Sequence, residues 1–152
     1  MKIPLSKFDY KSTGAVEITI PDGTVGHRIG TRFTHELPFW LVNRNGYERD
    51  VIACLGFMSL GRSADEIANA MEEKGCHPAR PYQGVAILVE LFEREKLSRH
   101  VTYLVIGEKV QNSTGDCFMK LEWRETKPHL SLIPEEDLPS LRDAICVGVR
   151  PL

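Results

Sequence analysis

The spacing of apolar positions changes several times along this chain, and each change marks an element. Val16, Ile18 and Ile20 alternate with polar neighbours, the period of a half-buried strand over residues 15–20. Pro21-Asp22-Gly23 follows as a turn, so a hairpin into a second strand over 24–33 is expected, with Gly26 and Gly30 as bulges. Residues 38–46 are ambiguous: Phe39, Trp40, Leu41 and Val42 are apolar, then Asn43-Arg44-Asn45-Gly46 closes the segment as a turn. Between 48 and 60, Val51, Ile52, Leu55, Phe57 and Met58 fall on nearly all sides of a helix. A buried helix fits that run best, although the periodicity also admits a buried strand.

The next segments are helical. Ser63 followed three residues later by Glu66 is a capping-box pattern, and Asp65 and Glu66 suit the positive end of a helix. Ala64, Ile67, Ala68 and Met71 form its apolar stripe, and Lys74-Gly75 stops it. Pro81 opens a second helix running to about Leu97, in which Val85, Ile87, Leu88, Val89, Leu91 and Phe92 cover more than half the circumference. Its narrow outer side carries Gln83, Ala86, Glu90, Glu93 and Arg94. The period then returns to that of strands. Segments 101–110 and 117–125 form a hairpin across a polar loop that contains the sequon Asn112-Ser113-Thr114. A short strand at 129–133, a helical turn near 135–142 and a last strand at 144–149 complete the chain. The expected fold class is α+β. It is one domain over 1–152, frayed over 1–12, whose antiparallel or mixed sheet carries three consecutive helices between N-terminal and C-terminal strands.

Residues 51–125 resemble winged helix-turn-helix domains, nearest to the DNA-binding half of ferric-uptake-regulator-like proteins. The positions that carry the likeness are Ala64, Glu66, Ile67 and Gly75, then Val85, Val89, Phe92, Glu93 and Leu97. The resemblance implies a DNA-binding regulator. Arg80, Tyr82 and Gln83 would stand at the tip of the reading helix, Arg94 further along it, and the 111–116 loop would be the wing. The residues themselves argue for another role. The outer face of that helix offers Glu90 and Glu93 to phosphate, and residues 62–100 hold six Lys or Arg against seven Asp or Glu.

Composition narrows the field further. With 152 residues, 42% apolar and 26% charged, the chain is long enough for one real core and too apolar for disorder. A net charge of −2 gives no global pull on nucleic acid or anionic lipid. The first residues lack the apolar run of a signal peptide, and no run is long enough to span a bilayer, so a cytoplasmic location without membrane association is expected. Cys54, Cys76, Cys117 and Cys146 are scattered and read as buried reduced thiols. No metal set or cofactor motif is found, although a fold could gather His27, His35 and Cys76. Catalytic pairings of His35 with Glu36 or Cys76 with His77 rest on adjacency alone. Ser59 lacks the spacing of a nucleophile elbow, and no catalytic residue is assigned. His27, Arg28, Arg32, His35, Arg44 and Arg49, interleaved with Phe33, Phe39, Trp40 and Tyr47, could stack and pair with single-stranded nucleic acid or an anionic ligand, but the favoured expectation is solvated charges around a core filled by Phe39 and Trp40.

The expected role is binding rather than catalysis, with a winged-helix DNA-binding regulator as the first alternative and an enzyme with an unassembled His, Cys and Glu site as the second. A small ligand could sit near His35, Trp40, Tyr103 and Trp123, or a protein partner could bind. Exposed apolar area on the long helix would indicate a homodimer. Removing the Ser63 hydroxyl tests the best-defined helix start. Ser63→Ala is expected to lower unfolding free energy by about 1 kcal/mol in urea titrations.

Overall fold

A computed structural model describes residues 10–58, 62–141 and 143–152. In chain order the strands are β1 (Tyr10–Ile20), β2 (Gly23–Thr24), β3 (Thr34–His35), β4 (Asn45–Gly46), β5 (Arg49–Met58), β6 (His77–Pro78), β7 (Thr102–Asn112), β8 (Gly115–Arg124), β9 (Lys127–Pro134) and β10 (Ala144–Pro151). The helices are α1 (Val25–Ile29), α2 (Phe39–Val42), α3 (Ala64–Glu73) and α4 (Pro81–Glu93), with a 3₁₀ turn over Glu135–Ser140. Eight strands form one sheet in the order β1-β5-β10-β7-β8-β9-β3, with β6 joined to β10. The β10–β7 and β3–β9 pairs are parallel and the others antiparallel; β2 and β4 make a separate two-stranded ribbon.

Two cores lie on opposite faces of that sheet. Strand residues alternate sides, so Tyr103, Val105, Val147 and Val149 join α4 and α1, while Leu104, Ile106 and Cys146 join α3. Strands covered on both faces read as continuous apolar runs rather than alternating ones. This corrects the helix expected over 48–60. Its all-round apolar pattern belongs to β5, a central strand between β1 and β10. The three-helix α+β arrangement is therefore wrong: the molecule is mostly sheet, one mixed eight-stranded layer with short helices on it.

The N-terminal third departs from expectation as well. The partner of β1 is β5, not a hairpin strand over 24–33. The Thr24 hydroxyl accepts the His27 N–H and nucleates α1, which Gly30 ends at a φ of 52°. Leu41 of α2 is buried, but Phe39 and Trp40 are 83% and 48% exposed and do not fill the core. The first strand begins at Tyr10, within the stretch expected to be frayed. Residues 1–9 and Ser59 lie outside the described residues.

Helix α3 begins as its sequence dictates. Ser63 Oγ accepts the Glu66 N–H, and Glu66 Oε1 accepts the Ser63 N–H at 3.2 Å. Helix α4 is buried almost all round, from Gln83 through Val89 and at Leu91, so it does not present the broad exposed apolar area that would indicate a homodimer. It lies close against the sheet because Gly84 has no side chain: a Cβ there would meet both Val105 methyls at 2.7 Å. Among the described residues no helix is long and apolar enough to cross a membrane.

Gly84→Ala separates packing from propensity. Alanine favours a helix interior by about 1 kcal/mol, whereas an inserted methyl in a full core costs about 1–3 kcal/mol. The variant is expected to be less stable in chemical denaturation, and Val105→Ala in the same chain to reduce that loss.

Candidate functional site

The start of α4 and the end of the sheet enclose a cleft of about 260 Å³. Its wall includes Arg49 from β5, Arg80 just before α4 and Arg150 from β10; all three are exposed. Their positions follow from pairing, since Arg150 lies opposite Ile52 and Pro151 opposite Val51, which brings the end of β10 beside the start of β5. Val51, Val149 and Pro151 supply apolar lining, and Tyr82 presents an aromatic ring. Among the described residues none of these arginines has an ion-pair or hydrogen-bonding side-chain partner, and no carboxylate lines the cleft. The nearest acid in its bonding is Glu72, whose Oε1 lies 2.6 Å from Nδ1 of His77 on the cleft wall.

Local sequence explains the mouth of the cleft. Pro81 has no N–H to offer, so Tyr82 and Gln83 carry the first free amides of α4. The buried Gln83 side chain is already engaged: its Oε1 accepts the Arg80 N–H at 3.1 Å. Behind Tyr82 runs a narrow crevice that Arg28 also lines, and the Arg28 Nε is buried without a partner. Three arginines thus line the cleft at the positive end of a thirteen-residue helix, and a fourth lines the crevice behind Tyr82. The chemistry open to this arrangement is capture of an anion. Guanidinium forks match carboxylate and phosphate oxygens in pairs.

The residues singled out from the sequence fall into separate places. Arg80, Tyr82 and Gln83 meet at this cleft. Arg94 lies at the other end of α4, its Nε 2.8 Å from Glu90 Oε1, in a groove with Glu17 and Asp50. His35, Trp40, Tyr103 and Trp123 do not converge on one pocket. His35 accepts the Leu37 N–H through Nδ1, and Trp40 stands half exposed on α2. Tyr103 is buried, with its hydroxyl accepting the Ser98 N–H at 2.8 Å, and burial holds its pKa above the ordinary phenol value. Trp123 lines a different cleft, beyond the C-terminus of α4. Arg49 belongs to the basic segment over 27–49, but its partnership with Arg150 is not legible in sequence, because 101 positions separate them (150 − 49) and only the β5–β10 register unites them.

One polar relay stands apart. His129 is buried on β9, its Nδ1 2.6 Å from Thr34 Oγ1 and its Nε2 3.1 Å from Glu36 Oε2. Arg124 approaches the same carboxylate oxygen at 3.7 Å. The hydroxyl–imidazole–carboxylate order resembles a nucleophilic triad, yet no cleft found among the described residues adjoins it. Thr34 and His129 face each other in the parallel β3–β9 register, and the relay clamps a two-residue edge strand. Glu36 therefore pairs with His129 rather than with His35. The Cys76–His77 pairing also fails, because Cys76 Sγ donates to the Met71 carbonyl while His77 turns to Glu72. All four cysteines are buried thiols, and burial, helped by neighbouring Cys76, pushes the Cys146 thiol to about 12. Among the described residues no group of three or more His, Cys, Asp or Glu could hold a metal, so His27, His35 and Cys76 do not gather.

No protein-family model, curated protein or solved structure matches the chain. Its chemistry rests on these residues alone.

The relay has a titration signature. The hydrogen bond from His129, and then the charge of Arg124, hold the Glu36 carboxyl below its ordinary 4.5. A depressed folded-state pKa means that Glu36 stabilises the fold above pH 4.5 and that this contribution drains as the pH falls further. In NMR titrations, His129→Ala is expected to move the Glu36 value upward. An unmoved value would mean that the hydrogen bond does not form in solution.

Proposed function

We propose that this protein binds a small organic anion in the cleft at the start of α4. The acidic group is held among Arg49, Arg80 and Arg150, and the ligand's body rests on Tyr82 and on the surface of Val51, Val149 and Pro151. The observation that carries this reading is the gathering of three arginines that have no ion-pair partner among the described residues, around a cleft that no described carboxylate lines, in a chain whose net charge is −2. Like charges so placed repel one another, and a bound anion offsets that repulsion. The free amides of Tyr82 and Gln83 and the helix dipole add to the attraction. A volume of about 260 Å³ suits a ligand of one ring or a short acyl chain with one acidic group.

The reading is one of binding rather than catalysis. The one histidine of the cleft is engaged by Glu72, and the buried Gln83 side chain by the Arg80 amide. It is also preferred over DNA regulation through a winged helix. A reading helix must offer an open polar flank to a groove, and α4 is packed almost all round. A wing must stand free, and the β7–β8 hairpin lies within the sheet between β10 and β9.

Calorimetry with phenyl phosphate tests the proposal, with benzylamine as the oppositely charged control. Saturable binding of phenyl phosphate is expected, weakening as salt rises from about 50 mM to about 500 mM. Arg80→Glu and Arg150→Glu are each expected to lower affinity about tenfold, equivalent to about 1.4 kcal/mol. Equal binding of both probes, or full affinity in both variants, would overturn the assignment. Binding of duplex DNA in preference to phenyl phosphate would favour the regulator instead.

A further inference from the structure

The opposite end of α4 opens on a second and larger cleft of about 500 Å³, lined by Phe92, Glu93, Glu95, Leu97, Arg99 and Trp123. Its lining differs from the first in carrying acids and a larger aromatic surface. Two carboxylates line it, the negative end of the helix dipole points toward it, and indole and phenyl rings form its apolar part. The single cation in its lining, the exposed Arg99, rests on Trp123 with the guanidinium carbon 4.5 Å from the ring centroid. Arg99 has no carboxylate partner among the described residues, so the indole face holds it without a salt bridge.

Two further observations set this cleft apart. Helices α3 and α4 end in the same backbone motif, with the amide two residues past the cap reaching back to the third residue from the helix end. Cys76 N–H bonds to the Met71 carbonyl, and Lys96 N–H to the Leu91 carbonyl. The motif needs a left-handed residue. In α3 it is Gly75, at a φ of 82°; in α4 it is Glu95, at a φ of 57°. The chain thus keeps a carboxylate on the cleft wall where its other helix uses the unstrained residue. The second observation is the Trp123 indole Nε1–H, which is buried with no acceptor among the described residues, so no hydrogen bond from those residues fixes the ring in the cleft wall. Buried tryptophan normally finds a partner.

We propose that this cleft binds a planar organic cation, an amidinium or guanidinium group carried on a flat body, and that Arg99 occupies the cation's place on Trp123 when the cleft is empty. An arriving cation displaces the Arg99 side chain to solvent, stacks on the indole and faces Glu95. Glu93 contributes less, because Arg32 Nε already engages it at 2.5 Å. Arg99 is then an internal competitor, and removing it should strengthen binding. A cleft whose arginine served only packing would respond in the opposite way.

Benzamidine is the probe, with benzoate as its charge-reversed counterpart. Both are titrated into Trp40→Phe protein, so that fluorescence reports Trp123 alone. Saturable quenching by benzamidine and none by benzoate is expected. Arg99→Ala should tighten benzamidine binding about two- to fivefold, the range of an exposed cation–π contact. Glu95→Gly should weaken it at least about twofold while leaving the melting temperature unchanged or higher, since glycine accepts the positive φ. Equal or weaker binding in Arg99→Ala, equal quenching by benzoate, or absence of saturation in both proteins up to about 10 mM would overturn the proposal. So would full affinity in Glu95→Gly.

Discussion

The close approach of α4 to the middle of the sheet constrains nearly everything else in this molecule. It is set by two glycines. Gly84 lets the helix meet Val105, and Gly107 lets the segment before the helix cross the face of β7, where the Gly107 N–H bonds to the Ala79 carbonyl at 2.8 Å. A Cβ on Gly107 would fall 2.4 Å from that carbonyl oxygen. With both approaches fixed, the helix buries Val85 through Val89 and Leu91, leaving mainly its ends available for chemistry. A core helix lends its dipole to whatever gathers at its termini, and both clefts described above sit there. Arginines line the cleft at the N-terminus, and two carboxylates, Arg99 and aromatic rings line the cleft at the C-terminus. At 1.5 Å per residue the two lie about 20 Å apart, too far for one small molecule to bridge.

Some of this was legible in the residues. The Ser63–Glu66 capping box, the stop at Gly75, Pro81 at the head of α4 and the alternation after Cys117 each carry a local physical cause, and each marks an element in place. What failed was the reading of elements whose character is set from outside. Val51, Ile52, Ala53 and Cys54 form an unbroken apolar run because cores press on β5 from both faces. Nothing within the run itself distinguishes that from a buried helix. The segment after Gly23 misled for another reason: the Thr24 cap gave α1 a start, and its apolar residues Val25 and Ile29 pack into the core that α4 occupies.

The candidate sites show the same division. Arg80, Tyr82 and Gln83 cluster in the sequence because they share a helix start, so they could be grouped without a structure. Arg49 and Arg150 join them only through the antiparallel register of β5 and β10. Trp123 was singled out as an aromatic, but its significance comes from Arg99 and from the left-handed Glu95, neither of which any spacing rule reveals. Likewise adjacency to His35 says nothing about the partner of Glu36. In an extended segment consecutive side chains point to opposite sides, and the carboxylate found His129 across the sheet instead.

Net charge hid the electrostatic organisation. A total of −2 reads as a surface of no particular sign, and the balance of acids and bases over 62–100 reinforces that impression. Sums over sequence average groups that the fold keeps apart. Arg80 and Glu95 are fifteen positions apart (95 − 80), and their charges nearly cancel in any window that spans both. The helix between them separates those charges by more than a Debye length at physiological salt, about 8 Å. Each terminus then presents its own pattern to solvent: arginines with no lining carboxylate at one end, and acids interleaved with bases, Glu95 on the cleft wall among them, at the other. The relevant quantity is therefore the charge within one screening length of each cleft, and that becomes visible only once α4 is known to run unbroken from one to the other.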